Sequence, residues 1–261
     1  ISTKGTKGNN NSGLFLQSGG IIRGNVFYEN DGNLDILKNS NGIHLSIRNN
    51  ITGQVSAINK GEIKSDIGTG SGIYIDQRQN LGKVAKVTNS GIISGFGSGI
   101  LVSATSGVSS SADILLDNNS KIINSNYGIN SNSLNNTNIA IKEGSEINAK
   151  LAAIYLNNQI NNQINNQTSS SISDIVNGGK IGSENGKIVG STNANRSQVN
   201  INNTATGFMK GYVELLGTGV SKIDNTGTWD MSGYESNTKG ANTLVNNGTL
   251  ITANKDILGT Q

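Results

Sequence analysis

Few side chains in this 261-residue chain have the type and spacing that chemistry would need. It has one histidine, His44, and no cysteine. A Ser-His-Asp triad would have to use His44, yet neither a Gly-x-Ser-x-Gly elbow nor a Gly-Asp-Ser-Gly run accompanies it. His44 alternates with Ile43 and Leu45, the pattern of a strand residue that faces outward. Without cysteine there are no disulfides and no thiolate metal sites, and one histidine cannot complete a zinc set. The nonapeptide calcium repeat is also missing, since Gly178-Gly179-Lys180-Ile181-Gly182-Ser183 lacks its Asp. Hydrolysis of a polysaccharide needs two carboxylates about 5 to 9.5 Å apart. Asp31 and Asp35 lie four apart, as do Asp113 and Asp117, and Asp66 and Asp76 are expected at different corners. No Asp-x-Asp or Asp-Asp pair occurs, so these acids read as solvated turn residues, and no catalytic, cofactor or metal residue is expected. One cluster of cations stands out: Arg78, Lys83 and Lys86, just after Tyr74 and Asp76, in what reads as a loop following a strand. Such a loop could meet a sulfated glycan or phosphate, or its charges could simply keep it soluble. The net charge of +3 is otherwise diffuse, which argues against nucleic acid as a partner.

The elements that would carry these residues are short strands. Charged residues make up 14% and aromatic residues 4%, while there are 35 Gly, 42 Asn and no Pro. A disordered chain would normally be richer in charge and proline, and would not space its Ile and Val so regularly. No run of about 18 apolar residues occurs, so no helix is expected to span a membrane. Asn225-Thr226-Gly227-Thr228-Trp229 is echoed 21 residues later by Asn246-Asn247-Gly248-Thr249-Leu250. The phrase reads as strand, tight turn, strand, with Ile223, Leu244 and Val245 inward and Asn and Gly supplying a positive-φ turn. Aligned on the aliphatic residue before that turn, the repeats fall at Ile58, Val87, Leu116, Ile141, Ile175, Ile201, Ile223 and Leu244. Isoleucines recur seven apart at 93 and 100, 122 and 129, 147 and 154, and 181 and 188. Three short strands per turn of about 21 to 34 residues is the arithmetic of an all-β parallel β-helix, a β-solenoid. Glycine every few residues opposes helices, a leucine-rich frame is absent, and propeller blades usually need about 40 residues. About ten turns would stack into a rod of roughly 50 Å, with aliphatic ladders inside and Asn ladders at the corners.

The expected organisation is a lead-in or cap over 1–13 and a β-helix over 14–261. The low-complexity stretch 157–168, where Asn-Asn-Gln-Ile recurs, reads as an expanded loop. The short, uninterrupted repeats of 221–261 should concentrate stability, and the longer upstream intervals should carry recognition.

Asn225 to Gly233, followed by Leu244 to Leu250, resembles the passenger domains of single-chain bacterial autotransporters, the type V secretion route. The likeness covers nearly the whole chain and is most specific over the last forty or so residues. It implies a single-stranded, right-handed parallel β-helix, carried outward by its own C-terminal outer-membrane barrel. The chain departs from the family pattern in having no barrel after Gln261, no signal peptide before Ile1, and no serine-protease or lipase domain. The resemblance therefore implies a non-enzymatic, virulence-type factor at the bacterial surface or secreted. Its implied partner is a host-cell surface protein receptor or glycan, and it would act as adhesin or as secreted ligand. It also implies that Trp229, Leu244, Val245 and Leu250 belong to a stable C-terminal folding nucleus. A β-helix enzyme acting on acidic polysaccharide and a structural spacer are the alternatives.

Overall fold

The computed structural model describes residues 12–66, 68–79, 84–105, 110–132, 134–158, 171–192 and 197–252. Every element among them is a strand, and the strands pair in parallel with strands one turn away, so the chain winds as a three-sided β-solenoid. The first face is a nine-stranded sheet running from Val26–Asn30 through Val55–Asn59, Ala85–Asn89, Ser111–Leu116, Asn136–Ile141, Ile172–Asn177, Gln198–Asn203 and Lys222–Asn225 to Thr243–Asn246. The second face starts at Asn33–Ile36 and the third at Ser12–Gln17. These two merge into one 16-stranded sheet, because Lys180–Ser191 and Phe208–Leu215 each run on through the corner between them. Nine stacked strands make a rod about 40 Å long. The third face begins at Ser12 rather than at Leu14, and residues 1–11 lie outside the described part.

Inside, each face contributes a column of β-branched or aliphatic side chains in register. Val87, Ile114, Ile139, Ile175, Ile201 and Ile223 stack on the first face, each at most 1% exposed. Ile63, Ile93, Ile122, Ile147, Ile181, Met209 and Trp229 stack on the second. Each such burial is worth about 2 kcal/mol, but only because the neighbouring turns close the sides. The register corrects the sequence frame at four places. Ala57, not Ile58, pairs with Val87, while Leu116 and Ile141 lie two residues beyond the true equivalents Ile114 and Ile139. On the third face Val189, not Ile188, stacks on Ile154.

Leu116 and Ile141 mislead because they occupy the asparagine position of the corner. Asn30, Asn59 and Asn89 form one buried ladder, with each Nδ2 donating to the next Oδ1 at 2.8 Å. Asn177, Asn203, Asn225 and Asn246 form another, at 2.8, 2.7 and 2.6 Å. Leu116 and Ile141 fill the two turns between, in register with Asn89 and Asn177. There the corner is built differently: Ser120 and Ser145 close four-residue turns onto Asp117 and Lys142, and the two serine hydroxyls bond at 3.2 Å. Asn119 takes φ 62° and Gly144 φ 78° in those turns. In the Asn-x-Gly corners, by contrast, the glycine is not at positive φ, contrary to expectation. Gly91 is required because a Cβ there would run into the carbonyl oxygen of Gly61, one turn away.

Trp229 is fully enclosed in the second-face column between Met209 and Leu250, and its Nε1 donates to the Gly211 carbonyl oxygen at 2.8 Å. Leu244 and Leu250 pack against the core while staying partly exposed on the last described turn. Val245 does not point inward. It pairs with the outward Asp224 and is 37% exposed, because strand alternation allows only one of Leu244 and Val245 to face the core.

Candidate partner-binding surface

The interior is occupied by the aliphatic columns, so the chemistry the fold leaves available lies on its outer faces. On the third face Phe15, His44, Tyr74, Leu101, Asn130 and Tyr155 form one outward column in register. The His44 ring lies 5.0 Å from Phe15 and 4.6 Å from Tyr74, nearly parallel to the latter at 16°. Both imidazole nitrogens are covered and without a hydrogen-bond partner. Burial pushes His44 below its ordinary pKa, against the opposing pull of Asp76, while Arg78 and Arg48 add to the lowering. Burial raises Tyr74, whose hydroxyl lies 3.2 Å from Ser103 Oγ. Two residues further along the same strand, Asp76 is buried and accepts from Arg78 Nε at 2.6 Å.

The three cations singled out in the sequence do not form one patch. Arg78 follows the third-face strand Ser71–Gln77 and is paired with Asp76. Lys86 is a strand residue of the first face, flanked in register by Ser56 and Asp113. Lys83 lies outside the described residues, as do 159–168 of the low-complexity stretch. Its first two residues are anchored: Asn157 donates to Asn132, and Asn158 is buried against Ser131, Ser173 and the Leu134 amide.

Two concavities were not legible in the sequence, because each is assembled across turns. On the first face Asp113, Asn138, Asp174 and Asn200 stack in one outward column. Asn138 donates to Asp113 at 2.8 Å and Asn200 to Asp174 at 2.7 Å. Asp113, Asn138 and Asp174, with Leu115, Ala140 and Val176 alongside, line a shallow concavity of about 510 Å³. Asp76 and Asp113 are thus strand residues with partners, not solvated turn acids. On the second face Asn148, Lys180, Gly182, Phe208, Lys210 and Tyr234 line a notch of about 380 Å³.

No family model, curated protein or solved structure matches the chain.

What the outer faces can do follows from their charges. Most cations near an acid are paired across turns: Lys60 with Glu29 at 2.8 Å, Lys64 with Asp35 at 3.2 Å, and Lys187 with Glu214 at 2.5 Å. Burial alone would lower Lys187, but the Glu214 carboxylate outweighs it and raises the pKa. Among the described residues no group of three His, Cys, Asp or Glu side chains could hold a metal ion. The surface therefore offers an aromatic strip and two polar concavities to a partner.

Proposed function

We propose that the chain is the passenger of a type V secretion autotransporter, a non-enzymatic rod at the cell surface or secreted, which binds a host-cell surface protein or glycan through its outer faces. The observation that carries this reading is the outward strip on the third face, where Phe15, His44, Tyr74 and Leu101 follow one another over four successive turns and, past Asn130, Tyr155 ends the column. A strip about 25 Å long at the turn spacing suits a partner laid along the rod. The sole histidine supports the non-enzymatic part, since its nitrogens are shut between two rings. The test is saturable binding of the purified chain to host cells and to biotinylated surface proteins and glycans. Phe15→Ala with Tyr74→Ala should weaken it at least tenfold, and absence of saturable binding by the wild type would sink the reading.

A second reading is a β-helix enzyme acting on polysaccharide, favoured by the Asp113 and Asp174 column. Two carboxylates two turns apart are separated by about 10 Å at the turn spacing, close to the upper end for inverting hydrolysis. Release of reducing or unsaturated ends from an acidic polysaccharide, abolished by Asp113→Asn, would favour it over simple binding.

A further inference from the structure

We infer that the notch over Gly182 on the second face is a binding site for an anionic saccharide, a uronate or a sulfated sugar. This deepens the cell-surface reading above and rests on it. In one outward column Gly182 stands between Asn148 and Lys210, and in the next Lys180 stands between Glu146 and Phe208. Gly182 lacks the side chain that would fill the column. Its φ is not positive, and the nearest atom to a Cβ built there is the Lys210 carbonyl oxygen at 3.7 Å. Neither φ nor crowding requires glycine at this position, which lies just before the register with Phe208–Leu215 shifts, and glycine inside a strand weakens the strand. An opening retained where a β-branched residue would stabilise the sheet fits close approach by a ligand.

The groups around the opening point to that ligand's chemistry. Lys180 and Lys210 are exposed, and among the described residues neither has a carboxylate within ion-pair distance. Of the neighbouring acids, Glu146 lies 4.0 Å from Lys121 on the far side, and Asp230, in register beside Lys210 but beyond ion-pair distance of it, accepts from the Ser232 amide and hydroxyl at 3.0 and 2.5 Å. Glu184, at the exposed rim, is the remaining carboxylate of the lining. Half-buried Phe208 and Tyr234 form aromatic walls, and Tyr234 is held in place because its ring lies over Gly186, where a Cβ would collide with it. Aromatic walls offer a sugar ring an apolar surface, and the two lysines offer a carboxylate or sulfate a pair of donors. The Asn148 amide and the lone pairs of Ser183 Oγ, whose proton goes to the Lys187 carbonyl at 2.9 Å, are placed for hydroxyls. A volume of about 380 Å³ is at the small end of ligand sites and takes one or two sugar rings.

The test is calorimetric titration of the purified chain with a heparin-derived hexasaccharide, a hyaluronan hexasaccharide and, as neutral control, maltohexaose. At least one anionic hexasaccharide should bind and maltohexaose should not. Gly182→Val fills the opening at an unstrained strand position, so it should keep or raise Tm while weakening the anionic sugar at least tenfold. Lys180→Ala with Lys210→Ala should weaken it by a similar factor and flatten its salt dependence. Wild type that binds neither anionic sugar, or a folded Gly182→Val variant with wild-type affinity, overturns the site. Should Gly182→Val fail to fold, the lysine variants decide in its place, and wild-type affinity in them overturns the site equally. Cell binding that persists while no anionic sugar binds removes this site and leaves the cell-surface reading standing; loss of both removes both.

Discussion

Replacing Asn203 by Ala tests whether the corner ladder holds the turns together. The side chain is fully buried. Its Oδ1 accepts from Asn177 Nδ2 at 2.8 Å, and its Nδ2 donates to Asn225 Oδ1 at 2.7 Å and lies 3.1 Å from the Thr228 carbonyl oxygen. Two ladder bonds contribute about 1 kcal/mol each, and leaving the Asn177 amide and the Asn225 oxygen poorly satisfied in the interior adds about 1 kcal/mol more. The expected loss is roughly 3 kcal/mol in urea unfolding. Asn203→Asp sharpens the test. Its carboxylate would face the Asn225 oxygen and the Thr228 carbonyl where a donor stood, raising its folded pKa above the unfolded value of about 3.9. A group whose folded pKa is raised binds more protons when folded, so this variant should regain stability as pH falls from about 7 towards 4. The Ala variant should show no such gain relative to wild type. A loss under about 1 kcal/mol for Ala, or a wild-type pH profile for Asp, would refute the ladder argument.

The remaining predictions concern single side chains. Trp229→Ala should cost about 3 to 5 kcal/mol by opening a cavity and orphaning the Gly211 carbonyl, read as a lower Tm and slower refolding, with ligand affinity of the folded fraction unchanged. Because burial lowers the folded pKa of His44, its contribution to stability is present above about pH 6.5 and is lost as pH falls below it. Thermal melts between about pH 5 and 8 should show that slope in the wild type and a flatter one in His44→Phe, which keeps the ring stack. Gly72→Ala should lower Tm, since its Cβ would press on Ile93 and on the Gly99 carbonyl oxygen at 2.7 Å, at a cost of about 1 to 3 kcal/mol in unfolding free energy.

The fold was legible because a solenoid repeats one physical problem, burying an aliphatic side chain against its equivalents one turn away. The isoleucines therefore mark the columns even where the loops between them vary. What misled was the assumption that the aliphatic residue before each corner is always the same column. Leu116 and Ile141 show that an apolar side chain can take the asparagine's place when a serine-closed turn supplies the corner's hydrogen bonds. The part glycine plays is hidden for a related reason. Its role at the Asn-x-Gly corners comes from the turn beneath, as with Gly91 above Gly61, and no local turn rule contains that neighbour. The candidate sites were hidden by the same geometry. Residues about 25 to 36 apart in sequence, such as Asp113, Asn138 and Asp174, become adjacent only once the register is known. Proximity in sequence carries the opposite error: Arg78 and Lys86, eight residues apart, belong to different faces. In this fold, function has to be sought down the columns, and Gly182 is informative because it interrupts one with neither a positive φ nor a crowding neighbour to require it.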